Sequence, residues 1–181
     1  MNKNIEKEFK VLVDKEKFYE LLSFYPAISF KKQVNIYYDT QDHQILKNHG
    51  AMRIRTKNTH VFTFKKATSN GLEEYECTVS ENSVSALYID EITFLLKSHN
   101  ISGPFEQIAN LTTYRGVLET EYAELCFDIN EYNGITDYEI EYEYKKDHDG
   151  IKAFNDILAK INIEYKKNGL SKIERAIRSK N

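Results

Sequence analysis

The sequence of 181 residues has no tryptophan and only two cysteines and two prolines, and each scarcity narrows the possible classes of protein. Two isolated thiols, Cys77 and Cys126, do not make the disulfide framework of a small secreted domain, so we expect both to be reduced core residues. No stretch rich in glycine, proline or serine marks a linker, so residues 1–181 are expected to form a single domain. Without tryptophan, stacking on an aromatic ligand would depend on tyrosine or phenylalanine.

Long apolar runs and a strong charge imbalance are also missing. No window is apolar enough to cross a bilayer, and the first residues lack the apolar core of a signal peptide. The formal net charge of −3 gives no reason to expect nucleic acid or an anionic membrane as the partner. A Ser-His-Asp arrangement, a P-loop and a dinucleotide fingerprint are absent as well. We therefore expect a soluble, cytoplasmic protein that uses none of these motifs.

The sequence does contain charge that alternates with apolar residues, which is the period of a β-strand. Glu6, Glu8 and Lys10 are spaced two apart, so they should project from one side of a first predicted strand. Further along, basic positions and acidic positions are segregated onto different strands. The recurring charged positions are Arg53, Arg55, Lys65, Glu74, Glu76, Asp128, Glu139 and Glu141.

Charge segregated in this way is unusual for a solvent-facing sheet, where lysine, glutamate, threonine and serine are interchangeable. If the charged faces all turn inward, a closed barrel holds cations beside clustered carboxylates, and its outward aromatic faces need covering helices. Cations suit phosphate oxygens, and clustered carboxylates suit a hard divalent metal. The pattern therefore indicates a site for a metal polyphosphate.

Turn and capping signals divide the chain into strands and helices. Besides the first strand, strands are predicted over residues 29–39, 51–57, 60–66, 73–80, 107–119, 123–130 and 136–145. Helices are predicted over residues 14–24, 83–99 and 150–161, and a last helix opens at Ser171. Strands outnumber helices, and their order is consistent with an α+β fold built on an antiparallel barrel.

Several of these segments resemble one known family. Glu6-Lys7-Glu8-Phe9-Lys10 is similar to the Glu-x-Glu-x-Lys signature of the CYTH superfamily, the triphosphate tunnel metalloenzymes. Its members include thiamine triphosphatases, inorganic triphosphatases, class IV adenylyl cyclases and fungal RNA triphosphatases. The resemblance implies an eight-stranded antiparallel β-barrel that forms a triphosphate tunnel, with helices packed outside. Further matches follow in the family's order at residues 35–40, 52–55, 63–65, 74–76, 112–115, 127–128, 139–141 and 171–172.

The resemblance also implies roles for the charged residues. One group would bind the phosphate oxygens of a triphosphate compound: Lys10, Arg53, Arg55, Lys65, Arg115 and Lys172. A second group would hold one or two Mg²⁺ or Mn²⁺ ions, directly or through water: Glu6, Glu8, Asp128, Glu139 and Glu141. Glu74 and Glu76 would lie near these ligands.

A catalytic base is suggested at Lys10. Packed among cations, its ammonium form would be disfavoured, so that it accepts a proton from the attacking water. Tyr37 lies where some family members place a tyrosine that partners this lysine. The alternative is that Lys10 only clamps phosphate and Tyr37 only packs.

Three functions remain open at this point. The first is a metal-dependent triphosphatase acting on inorganic triphosphate, thiamine triphosphate or a nucleoside triphosphate. The second is a class IV adenylyl cyclase, which would direct the ribose 3′-oxygen of ATP at the α-phosphorus. The third is a triphosphate- or polyphosphate-binding protein without turnover. Because no dedicated base pocket is evident, inorganic triphosphate leads, with thiamine triphosphate close behind.

Overall fold

Nine strands and five α-helices occur within residues 1–69 and 71–180, the part of the chain that this computed structural model describes. Hydrogen bonds join the strands into one sheet in the order first, sixth, fifth, fourth, third, seventh, eighth, ninth and second. The predicted α+β class with an antiparallel sheet is confirmed. The strands are β1 (Asn2–Glu6), β2 (Glu8–Val13), β3 (Phe30–Thr40), β4 (Gly50–Thr56), β5 (His60–Thr68), β6 (Gly71–Val79), β7 (Phe105–Glu119), β8 (Ala123–Tyr132) and β9 (Ile135–Tyr144). The helices are α1 (Lys15–Leu22), α2 (Gln44–Lys47), α3 (Asp90–Ser98), α4 (Gly150–Leu158) and α5 (Lys172–Arg178).

The first predicted strand is in fact two strands, which are separated at Lys7. β1 pairs with β6, whereas β2 pairs with β9. The prediction that Glu6, Glu8 and Lys10 share one strand is therefore wrong, and the sheet has nine strands rather than eight. Because the alternation of charged and apolar residues runs through Lys7 unbroken, no local signal marks the interruption. It arises because each half of the segment has its own pairing partner.

The chain divides into two compact units, each with its own apolar core. The first unit comprises Met1–Glu6, Gln33–Leu111 and Ile173–Asn181. The second unit comprises Lys7–Lys32 and Thr112–Lys172. The expectation that residues 1–181 behave as a single domain stays a prediction.

The core of the first unit lies on the apolar face of β4, β5 and β6. Ile54 and Phe62 are registered opposite each other and are fully buried. A 3₁₀ helix at Val84–Tyr88 and α3 cover this face, and Leu87 and Ile92 are buried against it. Full burial of one such side chain stabilises the fold by about 1.5–3 kcal/mol. The alternate residues of the same strands are consequently left on the opposite face.

The core of the second unit is built in the same way on β8 and β9. Phe127 and Ile140 are registered opposite each other, and neither has any exposed surface. α1 contributes Phe18 to this core, and α4 contributes Phe154 and Leu158. The prediction that helices cover the apolar faces is confirmed in each unit.

The helices follow the sequence signals only partly. α1 begins after Asp14, whose carboxylate accepts a hydrogen bond from the backbone N–H of Lys17 at 2.8 Å, as a cap should. The single helix predicted over residues 83–99 is instead the 3₁₀ helix and α3, because the backbone is extended at Ile89. The helix predicted over residues 150–161 is α4 followed by a 3₁₀ turn at Ala159–Ile161. Within residues 1–69 and 71–180, no helix has the length and apolar character needed to span a membrane.

α2 was missed because four residues carry no periodic signal, and its position depends on Asp39. This carboxylate is fully buried. It accepts hydrogen bonds from the backbone N–H groups of Thr40 at 2.8 Å, Ile45 at 2.9 Å and Leu46 at 3.0 Å. One side chain therefore fixes both the end of β3 and α2, which leads to β4.

We expect Asp39→Asn to lower the free energy of unfolding by about 1–3 kcal/mol, because the amide leaves a buried backbone N–H without its acceptor. Urea unfolding at pH 7 measures the change. Asp42→Asn is the matched control, because the exposed Asp42 accepts from the Thr40 hydroxyl at 2.7 Å in the same turn. The control should change the free energy of unfolding by about 0.5 kcal/mol or less. Equal midpoints for the two variants would contradict the role of Asp39.

Candidate functional site

Strand register gathers charge on one face of the second unit. Arg115 on β7 lies opposite Asp128 on β8, and Asp128 lies opposite Glu139 on β9. Two residues further along β9, Glu141 lies opposite Lys10 on β2. Since residues two apart on a strand share a face, these side chains project from the same surface of the sheet. That surface is opposite the one that carries Phe127 and Ile140.

Three buried carboxylates lie at the centre of this face, and we call Asp128, Glu139 and Glu141 the carboxylate cluster. One oxygen from each side chain lies within 4.8 Å of the others. The Lys172 ammonium lies 2.9 Å from the Asp128 carboxylate and 2.5 Å from those of Glu139 and Glu141. A single cation at the start of α5 therefore bridges all three carboxylates.

Arg115 provides a second cation. Its Nε donates to Asp128 Oδ1 at 2.7 Å and its Nη2 to Oδ2 at 2.5 Å, which is the two-point geometry that guanidinium and carboxylate share. Nη2 also donates to Glu141. Arg115 and Lys172 together offset two of the three negative charges of the cluster.

Burial and ion pairing act in opposite directions on the pKa values here. Burial alone would raise the pKa of Glu141, but Lys172, Arg115 and Lys10 outweigh it and hold that pKa well below its usual range. Burial would likewise lower the pKa of Lys172, but the carboxylates of the cluster hold it well above its usual range. Both groups are therefore kept charged in the folded protein.

Lys10 stands beside this cluster, with its Nζ atom 2.6 Å from Glu8 Oε1. Burial would lower the pKa of Lys10, but Glu8, Glu141 and Glu139 outweigh burial and raise it, against a smaller opposing effect of Lys172. The expectation that neighbouring cations lower this pKa is wrong, because carboxylates surround the ammonium group. Lys10 is held protonated, which suits a phosphate clamp better than a base.

A second set of charges lies on one face of the sheet in the first unit. We call Arg53, Arg55 and Lys65 the cation cluster. The Lys65 ammonium lies 3.0 Å from Glu74 and also pairs with Glu6, and both of these carboxylates are buried. The Lys65 ammonium is therefore held by two acidic side chains.

The two arginines of the cation cluster are held by β3. Arg55 is registered opposite Asn35, and its Nε donates to Asn35 Oδ1 at 3.2 Å. Arg53 is registered opposite the buried Tyr37. Burial would lower the pKa of Arg53, but the Tyr37 hydroxyl, and then the acidic residues nearby, raise it. The structure thus places Tyr37 beside Arg53.

The Nε atom of Arg53 is enclosed and has no hydrogen-bond partner among residues 1–69 and 71–180. A buried donor left unsatisfied costs about 1–3 kcal/mol, so native proteins rarely keep one without a reason. An anionic oxygen would satisfy this N–H group. The first unit therefore offers a donor that suits an anion.

The predicted metal ligands are divided between the two units. Glu6 lies in the first unit with Lys65, and Glu8 pairs with Lys10 in the second. Neither belongs to the set of three converging carboxylates. Glu76 accepts from the Thr63 hydroxyl at 2.9 Å. The assignment of metal and phosphate ligands, including Glu74 and Glu76, stays a prediction.

Sequence reasoning missed the neutral partners of the charged residues. Asn35 binds Arg55, and Thr63 binds Glu76. Each missed residue lies two positions from a residue already singled out on its own strand. A rule that every polar side chain on the charged face belongs to the network would have found both.

The two thiols are free, as expected from their spacing. Burial raises the pKa of Cys126 to about 12 and that of Cys77 to about 11. Cys77 packs against the first core, whereas Cys126 is buried on the charged face, opposite Glu141. Because thiolates are the reactive form, neither residue is suited to nucleophilic chemistry near neutral pH.

The carboxylate cluster has the donor chemistry of a site for a hard divalent cation. Mg²⁺ and Mn²⁺ prefer carboxylate oxygens, and three converge within 4.8 Å. The same oxygens accept hydrogen bonds from Lys172 and Arg115. A metal ion bound here would therefore compete with two protein cations. The residues present fit such an ion.

The fold and its charged faces define the class: an α+β protein whose antiparallel sheet carries buried carboxylates and cations. Sequence comparison gives its family. The CYTH domain model matches residues 4–177. The chain belongs to the CYTH domain family. A Bacillus subtilis (strain 168) protein named "Putative triphosphatase YjbK" is 31% identical over 170 residues, which cover 90% of each chain.

Two solved structures are also similar to this chain. A "putative adenylate cyclase" from Bacillus halodurans is 34% identical, with a TM-score of 0.87 over 97% of this chain and 98% of its own. A "putative adenylyl cyclase" from Hippeastrum, for which a dominant triphosphatase activity is recorded, is 21% identical, with a TM-score of 0.72 over 97% and 95% of the two chains. The second resemblance supports the fold alone.

Because the pKa of Glu141 is low, the free energy of unfolding should depend on pH in the acidic range. Since its pKa is lower in the folded than in the unfolded state, its contribution is present above the unfolded value of about 4.3 and is lost as pH falls through the folded value. We expect Glu141→Gln to reduce the slope of unfolding free energy between about pH 4 and pH 3 by up to about 1.4 kcal/mol per pH unit. Urea unfolding across this range measures the slope.

The control for this measurement is Glu119→Gln. Glu119 is 71% exposed and pairs with Lys145 at 3.4 Å, and surface ion pairs of this kind contribute little. Its slope should match that of the wild type. An unchanged slope in Glu141→Gln would refute the pairing of Glu141 with Lys172 and Arg115.

Proposed function

We propose that this protein is a triphosphatase that depends on Mg²⁺ or Mn²⁺ and hydrolyses a phosphoric anhydride bond of a triphosphate compound. The observation that carries the proposal is the carboxylate cluster, three buried acidic groups within 4.8 Å of one another and already surrounded by cations. Buried groups with strongly shifted pKa values concentrate at functional sites. Membership of the CYTH family and the named activity of the Bacillus subtilis relative support this reading.

The carboxylate cluster would hold the metal ion, with Glu8 of the same unit as a further predicted ligand. Glu6 lies in the first unit, and its metal role stays a prediction from the sequence. A bound divalent ion neutralises charge on phosphate oxygens and helps to orient the attacking water. The protein itself holds Glu141 ionised before any ligand arrives, because Lys172 and Arg115 keep its pKa low. No proton has to be removed from Glu141 when the ion binds.

The cations would bind the phosphate oxygens. In the second unit these are Lys10, Arg115 and Lys172, and in the first unit they are the members of the cation cluster. Arg115 and Lys172 act as counterions of the carboxylates in the structure described above. If an ion takes over that role, both side chains become available to an anion. The free Nε donor of Arg53 favours the same kind of ligand.

Inorganic triphosphate is the preferred substrate in this proposal, followed by thiamine triphosphate. The chain has no tryptophan for stacking on a ring, and its charged faces carry ionic side chains that recognise phosphate. A class IV adenylyl cyclase is the second candidate, since the Bacillus halodurans relative carries that name. Binding without turnover is the third.

One substrate panel separates the three candidates. Inorganic triphosphate, thiamine triphosphate and ATP are each incubated with Mg²⁺, Mn²⁺ or EDTA, and orthophosphate, pyrophosphate and cyclic AMP are measured. We expect orthophosphate release from inorganic triphosphate, abolished by EDTA and lowered by about 100-fold or more in Glu139→Gln. Glu119→Gln should retain wild-type turnover, since its side chain is far more exposed. Cyclic AMP with pyrophosphate would indicate the cyclase, and binding without products the sensor.

The role of Lys10 needs its own measurement, because its raised pKa favours a clamp over the predicted base paired with Tyr37. We expect Lys10→Met to weaken binding of a non-hydrolysable triphosphate about as strongly as it slows single-turnover hydrolysis, because a clamp acts before and during the reaction. A base would instead lose rate at nearly constant affinity. A sharp loss of rate with unchanged affinity would therefore support the predicted role of Lys10 as the base.

A further inference from the structure

The side-chain amide of Asn168 contacts β2 at its two charged positions. Its Oδ1 accepts from the backbone N–H of Lys10 at 2.8 Å, and its Nδ2 donates to the backbone carbonyl of Glu8 at 3.0 Å. Phe9, between them, is registered with Tyr142 on β9. β2 ends the strand order, and its strand neighbour is β9. Asn168 thus makes, with one side chain, the pair of bonds that a further strand would make at this point.

A tyrosine supports the amide from the core side. The Tyr165 hydroxyl donates to Asn168 Oδ1 at 3.1 Å, and its ring lies 5.0 Å from that of Phe9. The backbone N–H of Tyr165 donates to Asn155 Oδ1 on α4 at 2.7 Å. Residues 8–10 are therefore held through their backbone by Asn168 and through the Phe9 ring by Tyr165, and both come from one segment fixed to a helix.

The same segment leads directly to the cation at the centre of the carboxylate cluster. Lys172 follows Asn168 by four residues, and its ammonium lies 2.5 Å from Glu139 and Glu141. Lys10, on the strand that Asn168 holds, pairs with Glu8 and lies in the field of the same carboxylates. The amide consequently links the backbone that carries Lys10 to the segment that carries Lys172.

We propose that Asn168 is a positioning residue that keeps Glu8 and Lys10 in fixed relation to Lys172. This inference rests on the proposed function, in which Lys10 and Lys172 bind phosphate oxygens. A strand edge held by few backbone bonds can shift, and small displacements of positioned groups are costly to turnover. Asn168 reaches these groups through the backbone of its neighbours and is assigned no contact with the reacting atoms.

The test compares Asn168→Ala with Asn155→Ala. The second variant removes the hydrogen bond between the Asn155 side chain and the Tyr165 backbone, which fixes the same segment, but removes no bond to β2. Hydrogen exchange of the Lys10 amide, followed by NMR, should become faster by about tenfold or more in Asn168→Ala alone. Turnover of inorganic triphosphate with Mg²⁺ should fall by about tenfold in Asn168→Ala. Asn155→Ala should retain turnover within about twofold, even if its melting temperature falls as far as that of Asn168→Ala.

Asn168→Asp is the second variant, in case the alanine variant does not fold. It keeps the shape and the acceptor for the Lys10 amide but cannot donate to the Glu8 carbonyl, so exchange at Lys10 should stay slow while turnover falls by a smaller factor. Wild-type turnover in every folded Asn168 variant, or equal losses in Asn168→Ala and Asn155→Ala, overturns the inference.

The same variants also separate this inference from a failure of the proposed function. If the wild type hydrolyses no triphosphate in the panel, the proposed function has failed. The affinity for inorganic triphosphate, measured by calorimetry, then replaces turnover. A reduced affinity in the Asn168 variants with faster exchange at Lys10 in Asn168→Ala supports positioning, and an unchanged affinity overturns it.

Discussion

The constraint on which the second unit depends is the burial of three carboxylates around one ammonium group. Asp128 and Glu139 have almost no exposed surface, and taking such ions out of water costs several kcal/mol each. Their mutual repulsion adds to that cost, so the fold must deliver cations to them. Lys172 and Arg115 do so from α5 and β7. The register of β7, β8 and β9 follows from this requirement as much as from the apolar core on the other face.

Such a cluster is a poor way to stabilise a protein. Replacing a buried ion pair by packed apolar side chains is often neutral or stabilising, so natural chains that keep one commonly use it for something else. Here Glu141 is kept ionised and Lys172 is kept protonated without any ligand. The free protein already carries both kinds of charge that a metal-bound phosphate compound requires. The proposed function needs such a polar network, because its charged groups can exchange partners and an apolar core cannot.

Sequence reasoning recovered what is local and periodic. Alternation gave seven strands to within two residues of their observed ends, and Asp14 marked the start of α1. It failed where the outcome depends on distant partners. The break at Lys7 is set by pairing with β6 and β9, which no local pattern records. The pKa of Lys10 was predicted in the wrong direction because the sequence shows which charges exist and leaves open which of them face each other.

The two units differ in what their charged faces still offer. In the first, the enclosed Nε of Arg53 is a donor that an anionic oxygen would satisfy. In the second, each carboxylate is paired, yet the set offers the oxygens that a divalent ion prefers. An isolated cation or an isolated anion would satisfy only one of these two features. Compounds that combine a metal ion with phosphate groups would satisfy both, which is why the proposed function takes a ligand of this class. Both faces carry ionic side chains, which bind phosphate groups and a metal ion rather than a ring, and this is why the proposed function prefers inorganic triphosphate.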